Sequence, residues 1–261
     1  MKEKPLGNRN QPTAIDGTDL DRWVEAELRT LASPERKEVT SRYFPTAMEI
    51  LGVPVPDLRR VARALKKELK GWPPEAVIEL AFLLHSRRIH ECLQVAHELL
   101  DGRRDARGLL KVRKLRALGK GNDNWASVDS FSVLIAGPTW REGQIPDREV
   151  LSWTESKDRW WRRTALVSTV ALNMPSRGGT GDPDRTLRVC RKLVEDSDPM
   201  VAKGLSWALR ALIPVDRGMV ERFLADHQND ASALVRREVG NKLKTGRKNP
   251  GRQTTGGLGG S

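Results

Sequence analysis

From Leu20 to Leu243 apolar residues recur at three- and four-residue intervals, and no segment sustains the strict alternation of a half-buried strand. Each stretch with this periodicity must lay an apolar stripe against a neighbouring helix, so the chain is expected to fold as helix on helix. Leu20, Trp23, Val24, Leu28 and Leu31 mark the first helix, which the pattern ends near Ser33-Pro34. Leu51-Gly52-Val53-Pro54-Val55-Pro56 is too short and proline-rich for an interior strand and reads as a connector, with Pro56 suited to the first turn of a helix through Leu69. Further helices are expected over Glu75 to His85, Ile89 to Leu100, Leu109 to Leu118, Trp125 to about Ala136, Arg148 to Thr154 and Arg159 to Ala171. Asp184 to Val194, Pro199 to Leu212, Arg217 to Leu224 and Ala231 to Leu243 complete the set. Gly137-Pro138 is expected to stop the helix that begins after Asn124.

About twelve helices, paired at intervals of roughly 35 to 45 residues, predict an all-α fold, an α-solenoid of about six HEAT-like helical pairs with a concave basic face. The alternative is an irregular all-α bundle. The solenoid domain is expected over residues 19–245, between an N-terminal arm, 1–18, and a Gly-rich basic tail, 246–261, both read as disordered from composition. Asn173 to Pro183, containing Ser176-Arg177-Gly178-Gly179-Thr180-Gly181, reads as a flexible loop insertion. It is no phosphate-binding signature, because no strand precedes it and the Lys-Ser/Thr pair is absent.

Charge narrows the partners. Forty-six Lys plus Arg against 34 Asp plus Glu give a net charge of +12, which attracts polyanions, chiefly nucleic acid. On the candidate inner helices the cations are Arg59, Arg60 and Arg63, then Arg162 and Arg163, Lys203 and Arg210, and Arg236, Arg237 and Lys242. Spread over four helices, they suit a track for a phosphate backbone. No apolar run approaches the roughly 20 residues that cross a bilayer, and Met1 to Asn10 lacks an apolar signal core, so no membrane partner and an intracellular, cytoplasmic location are expected. Cys92 and Cys190 are isolated, and His85, His90, His97 and Cys92 do not converge as zinc ligands, so no metal is expected.

Four stretches could carry chemistry. In Asn122-Asp123-Asn124-Trp125-Ala126-Ser127-Val128-Asp129, a helix start puts Trp125 and Asp129 on one face. An aromatic face beside a carboxylate favours a cationic or oxocarbenium-like partner, although a packed ring and a solvated carboxylate give the same letters. Arg159-Trp160-Trp161-Arg162-Arg163 is dense in rings and guanidinium groups, and the fork of Arg163 suits a phosphate as well as it suits solvent beside core tryptophans. Lys203 and Trp207 share a helix face near Arg210, an arrangement that presses a ring on a sugar or base between cations or else fills a core. Tyr43, the only tyrosine, could sit at a groove edge or cap the first repeat.

Together these segments resemble the AlkD-type DNA alkylation repair family of HEAT-like DNA glycosylases. The resemblance runs from Arg42-Tyr43 through Leu51-Gly52-Val53 and Pro56-Asp57-Leu58-Arg59-Arg60. It continues with Asn124-Trp125-Ala126-Ser127-Val128-Asp129, Trp160-Trp161-Arg162-Arg163-Thr164-Ala165 and Lys203-Gly204-Leu205-Ser206-Trp207-Ala208-Leu209-Arg210, in order over about residues 20 to 245. It implies that Trp125, Asp129, Arg163 and Trp207 form the active cleft, with Tyr43 matched near the start of the fold. Arg162 competes for the arginine position, but Arg163 directly precedes the small pair Thr164-Ala165 and fits the motif better.

The resemblance further implies a monomeric enzyme without cofactor that hydrolyses the N-glycosidic bond of cationic N3- and N7-alkylated purines in double-stranded DNA. Asp129 would carry the chemistry, and Tyr43, Arg59, Arg60, Arg162, Lys203, Arg210, Arg236 and Arg237 would contact DNA. Where the family shows continuous spacing, this chain inserts the glycine-rich stretch after Asn173, lengthening the span from Arg163 to Trp207. The competing expectations are a non-catalytic HEAT-like nucleic-acid-binding module and a protein-interaction scaffold.

Overall fold

The computed structural model describes residues 18–250, and among them the regular structure is helical, with one isolated parallel bridge between Glu49 and Ile89. The expected arm, but for Thr18, and most of the expected tail therefore lie outside the described residues. By its contacts the chain divides into two compact units, 1–120 and 121–261. In each unit helices pack on near neighbours in sequence, the local arrangement of a solenoid.

In the first unit run α1 (Thr18–Thr30), α2 (Pro34–Tyr43), α3 (Val55–Glu68), α4 (Pro74–Ser86), α5 (His90–Gly102), α6 (Arg104–Gly108) and α7 (Val112–Gly119). The apolar stripe of α5 packs on α3 and α4, and Val24 and Leu28 of α1 are fully buried. Helix α2 escapes the periodicity argument because it buries no residue. Its signals are its ends: Ser33 accepts a hydrogen bond from the Arg36 amide, and Pro34 starts the first turn. The connector before α3 is a connector as expected. The buried Glu91 carboxylate accepts the amides of Leu51, Gly52 and Val53 at 3.0, 2.8 and 3.3 Å, a task three backbone donors would otherwise leave to water. Gly52 is at φ +82°, and a Cβ there would come within 2.4 Å of the Ser33 carbonyl, so only glycine fits.

The second unit holds α8 (Trp125–Phe131), α9 (Gly137–Arg141), α10 (Asp147–Trp153), α11 (Arg159–Ser168), α12 (Val170–Asn173), α13 (Pro183–Lys192), α14 (Pro199–Leu212), α15 (Arg217–Asp226) and α16 (Ala233–Thr245). Helix α11 is the hub, packing on α8, α10 and most extensively on α14, which in turn meets α16. Gly137-Pro138 does not stop the helix after Asn124. A π-helical turn over Ser132–Ala136 joins α8 to α9, and the Gly137 amide donates to the Ser132 carbonyl. An α-helical proline lacks its donor and clashes with the carbonyl four residues back, so a widened turn just before it lets the helix continue. Gly137 is needed there, since a Cβ would lie 2.5 Å from the Ser168 carbonyl and 2.7 Å from Ala171 Cβ.

The stretch expected as a flexible loop insertion, after Asn173, is instead pinned. Asn173 donates to the Thr169 carbonyl at 3.0 Å and to Thr186 Oγ1 at 2.8 Å, and accepts the Asp182 amide at 3.0 Å. Arg141 Nη1 donates to the carbonyls of Ala171 and Arg177, both at 2.7 Å. Residues 246–250, assigned by composition to the tail, continue from α16 through left-handed Gly246 and return to it: Asn241 Nδ2 donates to the Lys248 carbonyl at 3.2 Å, and Lys248 Nζ pairs with Glu238 at 3.2 Å.

Candidate active site

Asn124 starts α8. Buried and extended, it accepts the Ser127 amide at 3.0 Å through Oδ1, which places Trp125 at the first helical position and Asp129 one turn on. Both Trp125 and Asp129 are partly exposed on one face. At the far end of α8, Phe131 meets Trp161 edge to face at 6.4 Å, and Trp161 lies 5.2 Å from Trp153, so rings from α10 and α11 fix the helix that carries the carboxylate.

Arg163 comes to Asp129 from α11. Its Nε and Nη2 donate to the two carboxylate oxygens, each at 2.7 Å, and its Nη1 donates to the Met200 carbonyl in the first turn of α14. The pair is planar and two-pronged, the geometry in which arginine holds a carboxylate best. The Arg163 side chain is 6% exposed and that of Asp129 15%, so the guanidinium lies beneath while one side of the carboxylate meets solvent. Burial pushes the Asp129 carboxyl above its usual range, opposed by the Arg163 guanidinium. A buried carboxylate with a displaced pKa, kept where its charge is disfavoured, marks a functional candidate.

The phosphate role expected of Arg163 is corrected by this geometry: its three donor nitrogens are engaged inside the protein. Gly204 of α14 faces the pair, and a Cβ there would meet Arg163 Cγ at 3.4 Å and Leu166 at 3.6 Å, ordinary packing distances. Arg162 is also committed, donating to Asp196 at 2.6 Å and to the Ser156 and Lys157 carbonyls at 2.9 and 3.1 Å.

Trp207, one turn beyond Gly204, is half-buried and lines a groove of about 580 Å³ with Met174, Pro175, Arg210, Lys242 and residues 246–249. Trp125, Asp129 and Arg163 do not line it. Below it, Ser206 Oγ donates to the buried Glu238 at 2.6 Å and accepts from Arg210 Nε at 3.1 Å. Burial works against the Glu238 charge, but Ser206, Lys248 and Arg210 outweigh it and hold the carboxyl below its usual range. Lys203 and Arg237 are exposed, and Arg236 caps local carbonyls of Gln228 and Ala231. In the first unit Tyr43 is 71% exposed, and Arg59 and Arg60 lie on the surface of α3, 3.5 Å from Glu98 and 3.2 Å from Asp57.

Cys92 and Cys190 are buried free thiols, and burial pushes the Cys92 thiol up to about 12, far from a reactive nucleophile. Among the described residues no group of His, Cys, Asp and Glu side chains is placed to hold a metal ion, and no helix is long and apolar enough to cross a membrane.

The family model of the DNA alkylation repair enzymes matches residues 24–243. The chain belongs to that family. Its role is therefore in DNA repair and its partner is DNA. A solved structure described as a predicted DNA alkylation repair enzyme from Enterococcus faecalis is 19% identical, covers 82% of this chain and 97% of that one, and superposes with a TM-score of 0.64. At that identity the likeness concerns the fold. No curated protein matches the chain.

Proposed function

We propose that this family member is a monofunctional DNA glycosylase that hydrolyses the N-glycosidic bond of cationic N3- and N7-alkylated purines in duplex DNA. The domain that does so spans 19–245 and acts as a monomer. The observation that carries the reading is the Asp129 carboxylate, clamped from below by the buried Arg163 and open to solvent on one side beside Trp125.

The chemistry asks for little else. Alkylation at N3 or N7 leaves the purine with a formal positive charge, so it departs as a neutral base when the electron pair of the C1′–N bond moves onto it. The deoxyribose becomes oxocarbenium-like, and a fixed carboxylate stabilises that charge. Water then bonds to C1′ and gives its proton to solvent or to Asp129, leaving an abasic site. Because the leaving group is already cationic, neither a strong acid nor a cofactor is required. Trp125 shapes the site with its ring face, and Trp207, further along α14, contacts the neighbouring nucleotide. Arg163 is a positioning residue that fixes the carboxylate and favours its charged form, opposing the effect of burial. Lys203, Arg210, Arg237, Arg59, Arg60 and Tyr43 contact the DNA.

Asp129→Asn tests the reading. Release of 7-methylguanine from methylated duplex should fall by about 100-fold or more, the scale of losing a charge-stabilising group, while duplex affinity stays within about twofold. Undiminished release in the variant would return the chain to the alternative, a DNA-binding member without base-excising activity.

A further inference from the structure

The most one-sided run of charge in the chain belongs to no site described so far. From Ala106 to Asn122 there is no Asp or Glu, while Arg107, Lys111, Arg113, Lys114, Arg116 and Lys120 are cationic. Arg107 turns inward and donates to the Asp101 carbonyl. The others stand on or beside α7, whose Leu115 and Leu118 are buried. Arg113 and Arg116, with Lys120 at the C-cap, recur at i, i+3 and i+7 on the side away from those leucines, and all three are exposed. Surface cations on other helices sit one turn from a carboxylate that answers them: Arg29 with Glu25 on α1, Arg42 with Glu38 on α2, and Arg217 with Glu221 on α15. On α7 the neighbours one turn away are themselves cations, which works against the helix. Among the described residues no carboxylate pairs with Lys111, Arg113, Lys114 or Lys120. Arg59 and Arg60, assigned above to DNA, stand on α3, which packs on α1 and α5; α7 follows α6, which packs on α4 and α5, so the stripe is not an extension of the α3 surface.

We infer that α7 binds the phosphate backbone of a second duplex segment, so that one molecule holds two segments of DNA at once. From Arg113 to Lys120 the helix rises about 10 Å, the axial distance over which one DNA strand presents about three phosphates. Three cations on that rise suit a regular polyanion. The polyanion is DNA because DNA is the partner of this family. A second, sequence-independent hold keeps the chain at high effective concentration near neighbouring DNA when the first segment is released. The assignment goes beyond the glycosylase reading and does not depend on Asp129.

The test mixes donor-labelled and acceptor-labelled short duplexes with the full chain at low salt. The wild-type protein should bring the labels together, and sedimentation velocity should show one protein with two duplexes. Arg113→Gln/Arg116→Gln/Lys120→Gln should cut the energy transfer at least fivefold and leave affinity for the first duplex within about twofold; the salt slope of the second binding step should fall by about 3, one for each cation removed. Lys120→Glu, a single exposed change, decides the matter if circular dichroism shows that the triple variant does not fold. Absence of energy transfer with the wild-type protein, a bridged complex that contains two proteins, or bridging that survives the folded variants would overturn the inference. Loss of first-duplex affinity in step with bridging would place the stripe in the same DNA track as α3, and the second site fails. If polyglutamate binds the wild-type protein but not the triple variant, and no second duplex binds, the surface serves an acidic protein and the DNA assignment fails. Asp129→Asn should still bridge duplexes, which separates failure of this inference from failure of the glycosylase reading.

Discussion

Removing the guanidinium under Asp129 should expose what the clamp does. Arg163→Met keeps the length and packing of the side chain against Gly204 but deletes two charge-assisted hydrogen bonds to Asp129 and one to the Met200 carbonyl. It also leaves a mostly buried carboxylate with no counter-charge, a loss of about 3–5 kcal/mol when one partner of a buried pair is removed. In an Asp129→Asn background the same change forfeits only hydrogen bonds to neutral acceptors and should cost about 1–2 kcal/mol, so the coupling between the two positions is about 2–3 kcal/mol. Urea unfolding followed by circular dichroism on the four proteins of the cycle measures this. The second readout is the rate of 7-methylguanine release against pH. With Arg163 gone, only burial acts on the Asp129 carboxyl, its pKa rises further, and the acid limb of the profile must move to higher pH. Equal costs in both backgrounds, or an acid limb that stays in place, would refute the clamp.

Other consequences can be checked with less effort. In the wild-type enzyme the acid limb of base release should already lie above the ordinary aspartate range, because burial raises the Asp129 carboxyl despite Arg163. His97 is buried and held neutral, its pKa lowered to about 3 by burial and by His85 and His90. The unfolded chain takes up that proton near the ordinary histidine value, so stability present above about pH 6.5 is lost as the pH falls towards 3, by about 2–3 kcal/mol at pH 4.5. Thermal unfolding of His97→Gln should show a flatter dependence over that window. Gly137→Ala should destabilise by about 1–3 kcal/mol in urea, because its Cβ has no room between the Ser168 carbonyl and Ala171.

Periodicity carried most of the architecture, because most helices here bury one stripe and announce it in the letters. Helix α2 buries nothing, so only its capping serine and proline could reveal it. The continuation through Gly137-Pro138 was hidden for another reason: a π turn has no composition of its own, and the usual reading of Gly-Pro as a stop assumes an α-helix before it. In the candidate site, the four-residue spacing of Trp125 and Asp129 was legible, as was Arg163 once the segment resemblance was recognised. What Arg163 does was not legible, since the same guanidinium can face a phosphate or turn inward, and its partners Asp129 and the Met200 carbonyl lie 34 and 37 residues away in sequence. The groove at Trp207 was beyond reach altogether, because one of its walls is a turn that composition marks as loose and another belongs to residues assigned to the tail.

The π turn between α8 and α9 has a geometric consequence for the site. One additional residue in a helix advances the angular phase of everything after it by about 100° relative to an unbroken α-helix. The face defined by Trp125 and Asp129 is therefore not continued by the residues beyond Ala136; from Phe131 to Trp140 the rod is buried on every side, with the Trp140 indole donating to Asp147 at 2.8 Å. The apolar helix that anchors the unit and the polar first turn that carries the carboxylate can thus belong to one continuous rod while answering to different surroundings.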